Sequence, residues 1–230
     1  MSTKQKLAVF DVDGTIFRSS LFIQLVELMV KEGVLPVSVR KKYEGKYEEW
    51  QNREGGYSEY INAMVDAFYK NIKGVHYGDF ADLSKQVAES QAKHTYRYTR
   101  NLVKDLKKQG YYLLAISHSP KTILNFFCPQ LGFDKSYGMV FEIGAEDRLT
   151  GEVVDKHLIL NKANIVKRAV EKEGLTLQDS IAVGDTEGDV SMLELVEKPI
   201  CFNPNSQLYK QARVRGWDVV VERKDVVYTI

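Results

Sequence analysis

Leu7-Ala8-Val9-Phe10-Asp11-Val12-Asp13-Gly14-Thr15 is an apolar run that ends in two carboxylates, a glycine and a threonine. The apolar residues predict a short buried strand over residues 6 to 11. Two carboxylates two residues apart at the tip of such a strand face a common point beyond it. That arrangement suits a carboxylate nucleophile beside a carboxylic acid, with a hard cation between them. Asp11, nearest the strand end, is the expected nucleophile. Asp13, one step along the loop, is the expected acid and base: it donates a proton to a leaving oxygen and later takes one from water. Gly14 lets the chain turn, and Thr15 is expected to bond back and fix that turn. The competing reading is a solvated turn, because Asp and Gly are both common turn formers.

Three further segments weigh against the plain turn. Ser117 closes a buried apolar strand, Tyr111 to Ile116, and His118-Ser119-Pro120 leads from it into a helix. A hydroxyl and free backbone N–H groups at a helix start make an anion site, although a serine there also serves as an ordinary helix cap. His118 either touches a substrate or is a capping or solvated histidine. Lys162 follows Asn161, a natural N-cap, and so begins a helix where a cation is not electrostatically favoured. A positional reason fits better, namely an ammonium that balances the attacking carboxylate and phosphoryl oxygens. Lys156 is its rival. Finally, Ile181-Ala182-Val183-Gly184-Asp185 is a strand, a glycine turn and a carboxylate, and Asp189 comes four residues later. Asp185 is a Mg²⁺ ligand in this reading, with Asp189 ligating directly or through water; as a bare helix-terminal charge Asp189 would satisfy the dipole instead.

The pattern around these segments sets the architecture. Leu21, Leu25, Leu28 and Met29 recur at helical spacing up to Gly33, and Pro36 is a plausible start for the next helix. Only helical segments are predicted from there to about residue 94, in a stretch rich in charge and aromatics. Tyr43, Tyr47 and Trp50 recur at helical spacing, which reads as packing of a helical lid, with an apolar substrate wall as the alternative. Arg40-Lys41-Lys42 reads as a solvated face unless it overhangs a pocket. After residue 94, strands alternate with helices, apart from a hairpin within Met139 to Asp155, and this implies a parallel α/β sheet. All four polar motifs fall just beyond strand C-termini or at helix starts, the edge where open α/β sheets bind ligands.

The bulk composition narrows the function classes. The 230 residues carry a formal charge of +1, which argues against a nucleic-acid binder working through a basic face. No apolar stretch approaches the roughly 20 residues needed to span a bilayer, and the polar residues 1 to 6 do not resemble a signal peptide. Cys128 and Cys201 match no metal-ligand spacing and are expected as core thiols. The expected location is the cytoplasm, with a monomer or a homodimer working on a small molecule.

As an ordered set, Asp-x-Asp-Gly-Thr, an apolar strand ending in Ser117, the helix-start Lys162 and Gly-Asp-x-x-x-Asp resemble the haloacid dehalogenase-type phosphohydrolase superfamily. The long helical insert after the first motif is similar to that of the phosphoserine-phosphatase-like branch (subfamily IB). So is the tail Pro204-Asn205-x-x-Leu208 with Ala212 and Gly216-Trp217. The resemblance implies a Rossmann-like parallel-sheet core, residues 1–16 and 95–230, with an inserted all-helical cap of the C1 type, residues 17–94. It implies Mg²⁺ held by Asp11, the backbone carbonyl of Asp13 and Asp185, phosphate gripped by Ser117 and Lys162, and hydrolysis of a small phosphomonoester through an aspartyl-phosphate. Dehalogenase chemistry would not need Asp13 as an acid and base. Two departures count against phosphoserine itself as the substrate. The glutamate expected shortly after the first motif is replaced within Phe17-Arg18-Ser19-Ser20-Leu21, and the glycines expected after Ser117 are His118-Ser119-Pro120. Arg18 and Ser20 are left as substrate contacts. A phosphotransferase or mutase would use the same residues. A non-catalytic binding protein on this fold would have no use for both carboxylates, Lys162 and Asp185 together.

Overall fold

The computed structural model describes residues 4–230. Its centre is an eight-stranded sheet in the order β4-β3-β2-β1-β5-β6-β7-β8. The strands are β1 (Lys6–Asp11), β2 (Tyr112–Pro120), β3 (Lys135–Ile143), β4 (Leu149–Val154), β5 (Thr176–Gly184), β6 (Lys198–Phe202), β7 (Asp218–Arg223) and β8 (Val226–Thr229). All neighbours from β3 through β7 pair in parallel; only β4 and β8, at the two edges, run antiparallel. β1 lies between β2 and β5, so the first motif sits in the middle of the sheet beside the second and the last.

β1 is apolar on both sides because both faces of the sheet are covered. Ala8 and Phe10 point into one cluster, with Val183, Leu113 and the helices inserted after β1. Leu7 and Val9 point into the other, with Ile165, Val166 and Leu208. That second cluster belongs to α8 (Lys162–Glu173), α9 (Val190–Leu193) and α10 (Ser206–Arg215). Cys128 and Cys201 are both buried and unbridged, as expected of core thiols.

Between β1 and β2 the chain is helical: α1 (Leu21–Lys31), a 3-10 turn at Val37–Lys42, α2 (Glu44–Gln51), α3 (Tyr57–Asn71), α4 (Tyr77–Ser90) and α5 (Arg97–Lys108). The chain leaves and returns side by side. Phe17 and Thr95 form an antiparallel bridge, Arg18 N–H donates to the His94 carbonyl (2.9 Å) and Tyr96 N–H to that of Ile16 (3.0 Å). A second junction fixes the far end of the insert, where Gly74 N–H donates to the Leu149 carbonyl (2.8 Å) and Leu149 N–H to that of Val75 (2.9 Å). Between the junctions Phe68 of α3 meets Phe141 of β3 edge-to-face at 5.6 Å, so the apolar cluster runs unbroken from sheet to insert.

The structure corrects the expected elements at several points. β2 continues through Ser117 to Pro120, so α6 (Lys121–Phe127) begins only at Lys121, with Pro120 as its N-cap. Proline has no N–H to lose at a helix start, and its φ suits extended backbone equally well. The helix expected over Val190 to Val196 is a 3-10 turn at Glu187–Asp189 followed by only four helical residues. β8 has no counterpart in the sequence reading; three of its four residues are exposed and the fourth is half-exposed, with no clear alternation, and only pairing with β7 makes it a strand. α7 (Lys156–Ile159) is a single helical turn between β4 and α8.

Candidate active site

The C-terminal ends of β1, β2 and β5 and the start of α8 converge on one buried ion network. Lys162 Nζ donates to Asp11 Oδ1 (2.5 Å) and to Asp189 Oδ1 (2.6 Å), with all three side chains less than a tenth exposed. Asn161 is the N-cap of α8, accepting from Ala163 N–H at 3.0 Å, and this sets Lys162 as the first helical residue. Burial works against the Lys162 ammonium, but Asp11 and Asp189 outweigh it and hold its pKa above the ordinary lysine value. Lys156 takes no part: its ammonium lies 5.9 Å from the Tyr69 ring centre.

Asp189 organises the loop after β5. Its Oδ2 accepts from the N–H groups of Asp185 (2.9 Å) and Thr186 (3.0 Å), while Oδ1 takes the lysine. Both oxygens are therefore engaged, and Asp189 fixes the direction of Lys162 and the position of Asp185. Gly184 makes this approach possible, because a Cβ there would lie 2.5 Å from the Asp189 side chain. Thr15 acts differently from the expected bond back into its own turn: its hydroxyl donates across to Asp185 Oδ1 at 3.3 Å, and its carbonyl accepts from Thr99 Oγ1 at 2.8 Å.

Asp13 faces the β2 side. Its Oδ2 accepts from Ser117 Oγ (2.6 Å) and Ser119 Oγ (2.7 Å), and its Oδ1 from Leu21 N–H (2.6 Å). Ser119 also receives Phe22 N–H at 3.1 Å and gives its own N–H to Ser117 Oγ at 2.9 Å. Ser119 is the residue that sequence reasoning missed. The available signal was the strand period: residues two apart in extended chain share a face, and the helix start expected at Pro120 hid it. Ser117 is accordingly a strand residue rather than a helix cap.

The remaining sequence candidates divide. His118 lines the cavity, and enclosure there together with the Lys162 ammonium lowers its pKa. Ser20 lines it too, but its hydroxyl caps α1 by accepting Ile23 N–H at 3.4 Å. Arg18 is exposed at the cavity with its guanidinium 5.8 Å from the Tyr96 ring. Tyr43, Tyr47 and Trp50 all border the cavity, but Tyr43 is packed to 2% exposure whereas Tyr47 remains open.

The residues present fit a hard divalent cation. Asp11, Asp185 and Asp189 each bring a carboxylate oxygen within 4.8 Å of the others. Asp11 Oδ2 is buried and has no hydrogen-bond partner, and such an atom is costly without a compensating charge. Burial pushes the Asp11 carboxyl up to about 7 against the pull of Lys162, with Asp189 and Asp13 adding to the shift. Burial, then Asp11 and Asp189, push Asp185 well above the ordinary carboxylate value. One ammonium among these carboxylates leaves the site short of positive charge. Gly14 keeps the space open: at φ +83° it turns the loop, and a Cβ there would fall 2.1 Å from Asp185 Oδ2.

The model of the haloacid dehalogenase-like hydrolases matches residues 8–194. The chain belongs to that family. It is 26% identical to a histidinol-phosphatase of Neisseria meningitidis, over 94% of this chain and 98% of that one. It is 25% identical to a phosphoserine phosphatase of Methanocaldococcus jannaschii, over 98% and 96%. Among solved structures, a Bordetella pertussis protein of unknown function has the same fold with a TM-score of 0.72 at 20% identity, covering 94% of this chain and 98% of that one. A phosphoserine phosphatase solved as a phospho-aspartyl intermediate analogue has it at 0.61 and 23%, covering 97% and 96%. Both of these curated relatives are named as phosphatases, and the α/β architecture is the one that this chain's motifs imply. No helix among the described residues is long and apolar enough to cross a membrane.

Proposed function

We propose that this hydrolase cleaves a small phosphomonoester through an aspartyl-phosphate on Asp11, with Mg²⁺ as its cofactor, in the cytoplasm. The observation that carries the reading is the state of Asp11: one oxygen is held by Lys162 at 2.5 Å, and the other is buried and unpartnered at the end of β1. A carboxylate so held is a fixed nucleophile with one oxygen available.

The chemistry then follows from the chain's own groups. An Asp11 oxygen attacks phosphorus, the bond from phosphorus to the ester oxygen breaks, and Asp13 gives its proton to the departing alcohol. Asp13, now ionised, takes a proton from water as that water attacks the aspartyl-phosphate; the acyl-phosphate bond to phosphorus breaks, and Asp11 and inorganic phosphate are released. The three donors on Asp13, from Ser117, Ser119 and Leu21, match its ionised form, the form that receives water's proton. Lys162 has three N–H donors, of which two are spent on Asp11 and Asp189; the third is left for a phosphoryl oxygen. Ser117 can turn its hydroxyl from Asp13 to another phosphoryl oxygen, and His118 beside it completes that side. Asp11, Asp185 and the Asp13 carbonyl would hold the Mg²⁺, with Asp189 behind them. When bound, Mg²⁺ supplies the positive charge that the carboxylates and phosphoryl oxygens need.

Residues 17–94 serve as the lid over this site, a reading supported by the paired strands at Phe17 and Thr95. The relatives named above, a histidinol-phosphatase and a phosphoserine phosphatase, suggest an amino-alcohol phosphate as substrate; the lack of the expected glutamate within Phe17-Arg18-Ser19-Ser20-Leu21 counts against phosphoserine. The test is phosphate release from p-nitrophenyl phosphate, with Mg²⁺ and with chelator, for the native chain and Asp11→Asn. Metal-dependent turnover that the variant loses supports the reading. Metal-independent turnover, or turnover that survives in Asp11→Asn, overturns it. Adding alcohol acceptors separates hydrolysis from transfer: a phosphorylated acceptor in place of free phosphate would make the enzyme a phosphotransferase.

A further inference from the structure

The catalytic carboxylates occupy one end of a cavity of about 1050 Å³, and the insert forms the opposing wall. Four rings of that wall touch in series. Tyr47 lies 5.2 Å from Tyr60, Trp50 stacks on Tyr60 at 5.7 Å with 11° between planes, and Trp50 meets Tyr57 at 5.3 Å. Tyr60 is buried behind the others, whereas Tyr47 and Tyr57 remain 41% and 42% exposed while lining the cavity. Large aromatic surface left open on an internal wall is ligand surface rather than lid core.

The charge on this wall has a sign. Glu27, Glu44 and Glu48 line it against two guanidiniums: Arg40, whose Nε stands 4.0 Å from a carboxylate oxygen of both Glu27 and Glu44, and Arg18, which lies apart from them over the Tyr96 ring. Three carboxylates against two cations still leave a surplus of one negative charge, and Arg40 is the one cation among the three glutamates. The tyrosines do not change that balance: burial and Glu27 push Tyr60 up to about 12 and raise Tyr43 as well, so both stay neutral. Tyr43 spends its hydroxyl on Glu27 Oε1 at 3.0 Å, which fixes that carboxylate in the wall. Ring faces and carboxylates attract the same partner, a cation with apolar substituents. A second phosphate or a free carboxylate on the substrate would meet net repulsion there.

Resting on the phosphatase reading above, we propose that the substrate is a phosphomonoester of an amino alcohol without a carboxylate, whose ammonium or imidazolium group is held between the Tyr47–Trp50–Tyr57 rings and Glu27, Glu44 and Glu48. The phosphate is read at the sheet edge and the cation by the insert. This assigns to α2 and the start of α3 the substrate choice that a glutamate near residue 20 would otherwise have supplied.

The test compares esters of similar size that differ in charge. Phosphocholine and histidinol phosphate are cationic, 3,3-dimethylbutyl phosphate is the neutral isostere of the first, and phosphoserine adds a carboxylate. At least one cationic ester should exceed the neutral isostere and phosphoserine by ten-fold or more in kcat/KM, with the difference in KM. The ratio should fall several-fold in Glu44→Gln/Glu48→Gln, two exposed positions whose change leaves the fold intact by its melting curve. Equal kcat/KM for the charged and neutral esters, or a preference for phosphoserine, overturns the proposal. A second readout needs no turnover. With Trp217→Phe leaving Trp50 as the only tryptophan, and Asp11→Asn in the same chain, choline or histidinol should change Trp50 fluorescence at concentrations where 3,3-dimethylbutanol does not. If no ester is hydrolysed but this selective response appears, the catalytic reading falls and the cation site stands. An equal response to amine and neutral alcohol overturns the site whatever the enzyme hydrolyses.

Discussion

The sheet edge and the facing wall of the insert enclose the same cavity by opposite means. At the sheet edge Asp11, Lys162 and Asp189 are buried, charged and locked together at 2.5–2.6 Å, and nearly every oxygen has an assigned donor. In the wall, Tyr47, Trp50 and Tyr57 meet at ring distances, are partly open, and share the space with carboxylates that have few partners. The first region is built to hold atoms in one place, which reaction chemistry demands. The second can accept a group of roughly the right size and charge, which substrate choice demands. The junctions at Phe17–Thr95 and Gly74–Leu149 hold the two regions in register.

The difference predicts unequal sensitivity. Lys162→Met should be the most damaging change, because it strands Asp11 and Asp189 as buried charges. Breaking a buried pair costs roughly 3–5 kcal/mol, and for a chain of this size that is about 6–20 °C of melting temperature, with turnover lost as well. A melting point within a degree or two of native would mean that the network is not the rigid element described here.

Gly14→Ala should come next. Its Cβ would fall 2.1 Å from Asp185 Oδ2 at a backbone φ of +83°, so Asp185 must move. Mg²⁺-dependent activity is expected to fall by two orders of magnitude or so, within the range of changes to a metal's supporting residues (about 10–100-fold) and beyond it if the ligand is displaced outright. Native kinetics in this variant would remove Asp185 from the metal site.

Mg²⁺ itself should raise the melting temperature of the native chain. Saturation at 100 times the dissociation constant corresponds to about 2.7 kcal/mol, and the increment should vanish in Asp185→Asn. A wall substitution such as Tyr47→Phe should leave that metal increment untouched and move the melting point little, since changes at such half-exposed positions usually stay within about 0.5 kcal/mol. A large loss there would show that the wall is as rigid as the sheet edge.

The smallest effect is spectroscopic. Enclosure and the Lys162 ammonium both oppose protonation of His118, so its imidazole should titrate below the ordinary value of 6.5 in NMR. In Lys162→Met, where it is folded, the midpoint should move up. A midpoint above 6.5 in the native chain would mean that the carboxylates outweigh the lysine there.

Most of the sheet edge was legible in the sequence because its chemistry forces residue types into fixed local places. Asp11 had to follow an apolar strand, Asp185 a glycine turn, and Lys162 a capping asparagine, and each local signal is contained within a few residues. Ser119 was not legible, because its role depends on β2 remaining extended past Ser117, and β3 pairing with Pro120 decides that. Thr15 was assigned to its own turn because its true partner, Asp185, is 170 residues away. In the wall the sequence offered aromatic periodicity alone. Tyr43 is packed and Tyr47 is open although both lie on the same short stretch and both meet Tyr60 of α3; Tyr43 is the one that also bonds to Glu27 of α1.

The sequence by itself therefore determined the α/β alternation, the strand that carries Asp11 and Asp13, and the family of chemistry, since periodicity and motif are local properties of the chain. Tertiary structure alone decided which serines hold Asp13, that Thr15 reaches Asp185, and which aromatic faces remain open to a ligand. Those are contacts between elements far apart in sequence, and they exist only once burial has fixed the elements against one another.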